Sequence, residues 1–151
     1  MLFHLRFNIS LGTRIPNEEL EKAINYANEK NVYVIAASGD MNYSDALYPA
    51  RYSNAIAVQA QDIKGEKYIF SNEIKENFVR TPGVEIDVAY YDYDLNKWTV
   101  SIESGSSLAS IVLSGLTSTL DFSKNELDFN YIYNTKNYVF LDYERMSDLN
   151  D

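Results

Sequence analysis

The run "VYVIAAS", Val32 to Ser38, constrains the fold more than any other stretch of this chain. It is apolar without interruption and rich in β-branched and aromatic residues, so it does not suit a strand with one wet face. Such a run belongs in a sheet covered on both sides, as parallel sheets are. "NAIAVQAQD", Asn54 to Asp62, repeats the pattern after a loop, and "LRFNISLG", Leu5 to Gly12, reads as a buried strand that Gly12 ends. Between the first two strands lies a helix. Asn17 caps it after Pro16, Glu18 and Glu19 occupy the first turn where the dipole favours anions, Leu20, Ala23, Ile24 and Ala27 form its apolar face, and Lys30 closes it. Strand, helix, strand, loop, strand predicts an α/β fold of three layers, a mostly parallel sheet with flanking helices.

Further strand candidates are "KYIFSN" (Lys67–Asn72), "VEIDVAYY" (Val84–Tyr91) and "KWTVSIES" (Lys97–Ser104). A helix follows from about Ser107 to Leu120, with Ala109, Val112, Leu113, Leu116 and Leu120 spaced for one apolar stripe. From Asp121 the chain turns acidic and rich in Tyr and Asn, with a strand expected only at Asn137 to Leu141.

Composition excludes several function classes. The 13 basic and 22 acidic residues give a net charge of −9, which argues against nucleic acid, since phosphate backbones need clustered Lys and Arg. No apolar run approaches the ~20 residues of a membrane span, and "MLFHLRFNIS" lacks the pattern of a signal peptide. There is no Cys, hence no thiolate nucleophile or disulfide, and one His, His4, which has no companion ligand nearby and reads as a strand-end residue. Asp92 and Asp94 in "YYDYDLN" lack the full ligand spacing of a calcium loop.

The stretch "ESGSSLAS", Glu103 to Ser110, turns from strand to helix with two hydroxyls at the bend. Serine is a preferred helix N-cap, so by itself the pair means a cap. Five other segments change its weight. "NISLG" (Asn8–Gly12), "VIAASGD" (Val34–Asp40), "YPARYSNAIAVQAQD" (Tyr48–Asp62), and "FSN" with "TPGVEI" (Phe70–Asn72, Thr81–Ile86) precede it in an order and at intervals that resemble the C-terminal half of a subtilisin-like serine protease domain. "SGSSLAS" falls where that family carries Gly-Thr-Ser-x-Ala-x-Pro. The resemblance runs from about Phe7 to Leu120, so that residues 1–120 read as the C-terminal half of the peptidase domain and 121–151 as an acidic extension.

The resemblance implies that Ser107 is the nucleophile, that Asp40 stands at the oxyanion-hole position, and that Ser10, Leu11 and Gly12 border a bound peptide on one side while Ala37, Ser38 and Gly39 wall its pocket. A Ser at a helix N-terminus lies among unpaired N–H donors at the positive end of the dipole, which suits an oxyanion forming nearby. Gly105 lets the backbone turn there without a Cβ. The resemblance would also allow a structural calcium ion, with ligands it does not name, and a secreted or cell-envelope location.

The pattern departs from the family in three positions and one absence. Asp40 replaces an Asn whose side chain donates to the oxyanion, and an ionised carboxylate cannot donate. Ser106 replaces Thr, and Ile111 replaces Pro. The family's base and orienting acid lie in His-Gly-Thr-His and Asp-Thr-Gly motifs, and neither motif occurs in these 151 residues. A serine is a weak nucleophile without them. Two classes of function follow: a truncated endopeptidase, inactive alone, whose partner is its N-terminal half and whose substrate is a polypeptide; or a non-catalytic module that keeps a peptide-binding edge. The reading frame upstream would discriminate them.

Overall fold

The computed structural model describes residues 5–75 and 78–118, together with the backbone of 133–134 and 139–140. Four parallel strands form the sheet in sequence order: β1 (Arg6–Ile9), β2 (Tyr33–Ala37), β3 (Ala55–Gln61) and β4 (Phe78–Pro82). Their register sets Asn8 beside Ile35, Ile35 beside Ile56, and Ala57 beside Phe78. The fold is thus the mostly parallel α/β arrangement that the apolar runs predict.

Alternation along β2 explains the three layers. Val34 faces one way and packs with Ala55, Tyr52 and Ile24 of α1 (Glu18–Glu29). Ile35 faces the other way, where Val58, Ala60 and Val79 meet Ala109 and Leu113 of α2 (Ser106–Ser118). Removing a leucine such as Leu113 from water stabilises the fold by about 1.5–3 kcal/mol. Asn17 caps α1 as expected, its Oδ1 accepting the Leu20 N–H at 2.9 Å, and Lys30 terminates it. Ala23 is exposed, because the buried stripe turns about Ile24 with Leu20 and Ala27 beside it.

Several expectations are corrected. The Leu5–Gly12 stretch is only partly buried: among the described residues β1 stands at the sheet edge, paired with β2 alone, with Phe7 61 % exposed and Ile9 half-buried against the core. Burial keeps the Arg6 guanidinium below its ordinary value, opposed in part by Tyr33. "KYIFSN" is a turn rather than a strand, since the Ser71 N–H closes onto the Tyr68 carbonyl at 2.9 Å. The fourth strand is instead β4, whose Arg80 and Thr81 break the apolar pattern. Both are nevertheless buried, Arg80 Nε donating to Gln59 Oε1 at 3.0 Å and Thr81 Oγ1 to the Ala109 carbonyl at 2.6 Å.

The next two strands, β5 (Ile86–Asp92) and β6 (Lys97–Glu103), pair antiparallel as a separate hairpin. Its turn is held by Asp92 Oδ1, which accepts the N–H groups of Asp94 and Leu95, both at 2.9 Å. Short strands β7 (Tyr133–Asn134) and β8 (Val139–Phe140) also pair, and β8 lies inside the strand expected at Asn137 to Leu141. The other residues of the acidic extension, and the Leu120 end of the helix, lie outside the described residues, as does His4. No described helix is long and apolar enough to cross a membrane.

Candidate active site

In an open parallel sheet the crevice beyond the carboxyl ends of the strands is where ligands collect. The chain leaves β1 at Ser10 and β2 at Ser38, and α2 begins beside both. Ser107, half-buried in the first turn of α2, donates its hydroxyl to the Ser10 carbonyl at 3.1 Å. Ser10 answers, its Oγ lying 3.1 Å from the Ser107 carbonyl and 3.0 Å from Ser110 Oγ. Ser110 Oγ itself donates to the Ser107 carbonyl at 2.8 Å. Three serines from opposite ends of the sequence therefore fix the backbone around one hydroxyl.

The hydroxyl pair does not cap the helix. Gly105 holds the cap position, its carbonyl accepting the Ala109 N–H at 3.2 Å, and it has no side chain to satisfy the first-turn donors. Asp40 supplies what is missing: its Oδ2 and Oδ1 accept the Ser106 N–H at 2.8 and 3.0 Å, and Oδ2 accepts the Ser106 hydroxyl at 2.9 Å. Ser71 Oγ donates to Oδ1 from 3.3 Å. Ser106 Oγ in turn accepts the Gly39 N–H at 3.0 Å, so the end of β2 and the start of α2 are bonded reciprocally.

The residues expected to wall a pocket are largely occupied in holding their own loop. Ala37 and Ser38 are buried. The Ser38 carbonyl accepts both the Leu47 N–H at 2.9 Å and Asn72 Nδ2 at 3.1 Å, and the Gly39 carbonyl accepts the Asn72 N–H at 2.8 Å. On the opposite wall Leu11 stands 71 % exposed. Gly39 requires glycine, with φ at +92° and an added Cβ falling 2.6 Å from Asn72 Nδ2. An added Cβ at Gly12 would lie 2.6 Å from Leu47 Cβ, so Leu47 sits against both glycine-bearing walls.

Asn72, Leu47 and Ser110 are the site residues that sequence reasoning missed. Asn72 is fully buried, and its Oδ1 accepts the N–H groups of Met41 and Tyr43 at 3.0 and 2.9 Å, fixing the loop after Asp40. Asn72 stood within the quoted "FSN" and Ser110 one helical turn beyond Ser107, while Leu47 carried no signal. Among the described residues no three His, Cys, Asp or Glu side chains group together, and the Asp92 carboxylate is committed to its turn.

Residues 7–125 match the subtilase family. The chain belongs to that family. It is 41 % identical to subtilisin BL of Lederbergia lenta over 83 residues, which are 55 % of this chain and 31 % of that protein. It is 36 % identical to thermitase of Thermoactinomyces vulgaris over 113 residues, 75 % of this chain and 39 % of thermitase. Among solved structures, the prenylagaramide maturation protease PagA superposes with a TM-score of 0.67 at 29 % identity, covering 75 % of this chain and 42 % of that one. The matched part is thus under half the length of each of these subtilase relatives, and the parallel sheet with its flanking helices is the subtilisin-like arrangement.

Proposed function

We propose that the chain is the nucleophile-bearing part of a subtilisin-like serine endopeptidase acting on polypeptides, with Ser107 attacking the scissile carbonyl. The observation that carries this reading is the setting of Ser107 in the first turn of α2, at the mouth between the ends of β1 and β2, with its backbone fixed by Ser10 and Ser110. With the Ser106 N–H engaged by Asp40, the next donors of the turn, at Ser107 and Leu108, are those that α-helical geometry leaves without an intrahelical partner. Donors free in this turn would suit an oxyanion forming beside Ser107. Ser10 to Gly12 and Ala37 to Gly39 would border the bound peptide.

The base and its orienting acid would come from a polypeptide carrying the two missing motifs, because Ser107 here donates only to a carbonyl. That same hydrogen bond favours the second reading, a module that binds peptides without cutting them. Assaying the purified chain on a broad fluorogenic peptide set, alone and with a polypeptide bearing the His and Asp motifs, separates the two. The endopeptidase reading expects no triad-type turnover alone, and turnover with the complement that Ser107→Ala removes. Peptide binding with no turnover under either condition would favour the module.

A further inference from the structure

Asp40 has a different task from the one its position in the family suggests. Its two oxygens converge on Ser106 N and Oγ, from 66 residues away in sequence, and Ser71 Oγ approaches the same carboxylate. Gly105 makes room for this: a Cβ there would stand 3.0 Å from Asp40 Oδ2, with no other side chain that close. Charge-assisted bonds of this kind are short and strong, and a carboxylate at a helix N-terminus also meets the favourable end of the dipole. The Gly39 N–H then bonds Ser106 Oγ, closing a ring of donors and acceptors through Gly39, Asp40 and Ser106.

We propose that Asp40 is a positioning residue, a carboxylate clamp that fastens the Ser107-bearing end of α2 to the loop after β2, rather than a group directed at the substrate oxygen. Its bearing on catalysis rests on the endopeptidase reading, while the clamp itself does not. An Asn could still accept the Ser106 N–H through Oδ1, but its NH2 cannot accept the Ser106 hydroxyl, so half the clamp would open. Replacing Asp40 by Asn is therefore expected to loosen the turn.

Amide hydrogen exchange on the full chain tests this residue by residue. In the unaltered chain the Ser106 amide should be protected. Asp40→Ala should speed its exchange by roughly 2- to 30-fold, the range that losing a helix cap implies, and Asp40→Asn should fall between. The core amides of Val58 and Leu113 should not change, which a general loss of structure would not spare. If Asp40→Ala fails to fold, Ser106→Ala serves instead: the Gly39 amide should lose protection while that of residue 106 keeps it. An unprotected Ser106 amide in the unaltered chain, or unchanged exchange in Asp40→Ala, would overturn the clamp. With a polypeptide bearing the His and Asp motifs present, labelling of Ser107 by a fluorophosphonate should slow in the same order, unaltered, Asn, Ala. A Ser107 that never labels under that condition counts against the peptidase reading, and exchange still decides the clamp.

Discussion

The two helices begin in opposite ways. α1 carries its own cap, Asn17 reaching three residues forward to the Leu20 N–H, with Glu18, Glu19 and Glu21 in the first turn. α2 starts on a glycine, has no acidic residue in its first turn, and takes its carboxylate from Asp40 in another loop. The local arrangement stabilises a helix anywhere it is placed. The distant one holds only when the sheet has already brought β2 to α2, and it fixes the relative position of two loops as well as the helix. A start that bears a candidate nucleophile is thereby tied to the wall of its cleft, whereas the start of α1, among the described hydrogen bonds, reaches beyond its neighbourhood to the Tyr52 hydroxyl, with Leu20 packed on the core.

Four substitutions break or sharpen this contrast. The largest effect is expected from Leu113→Ala, which empties the contact between α2 and β2, β3 and β4; such core truncations cost about 2–5 kcal/mol. Denaturant unfolding should register it, and a loss under 1 kcal/mol would mean that the helix is not anchored as described. Next comes Gly39→Ala, where a positive φ and the approach of Asn72 and Leu47 predict about 1–3 kcal/mol. It should also release the Ser106 amide to exchange; retained protection would uncouple the glycine from the clamp. Asn17→Ala should cost about 1 kcal/mol, read in the same unfolding assay, and leave Ser106 untouched, since that cap is local. An effect on Ser106 would erase the distinction between the helices. The smallest change has the opposite sign: Gly115 lies in the last described turn of α2 with nothing within 4 Å of an added Cβ, so Gly115→Ala should raise stability by up to about 1 kcal/mol. A fall would point to a neighbour of that face.

Where the sequence was legible, the physics was local or the pattern strong. Apolar runs announced β2 and β3, the second despite Gln59 and Gln61, and Asn17 announced α1, because each signal lies within or beside the element it defines. β4 escaped because its buried Arg80 and Thr81 look polar until Gln59 and the Ala109 carbonyl are known to receive them. The "KYIFSN" reading failed for the converse reason: its apolar residues belong to a turn whose last residue, Asn72, is required elsewhere as a buried amide. At the site, the family resemblance named Ser107 and Ser10 for separate roles, and direct hydrogen bonds join the two residues. The direction of the Asp40 carboxylate was not legible, since the same residue could face the cleft or the helix, and only the space left by Gly105 decides it.

The hydrogen bonds around Ser107 link positions 97 and 100 apart in the chain. Closing so long a loop costs more entropy than closing a short one, and contacts this far apart in sequence slow folding. The Ser107 hydroxyl acquires these partners only when β1 and α2 have met across the sheet.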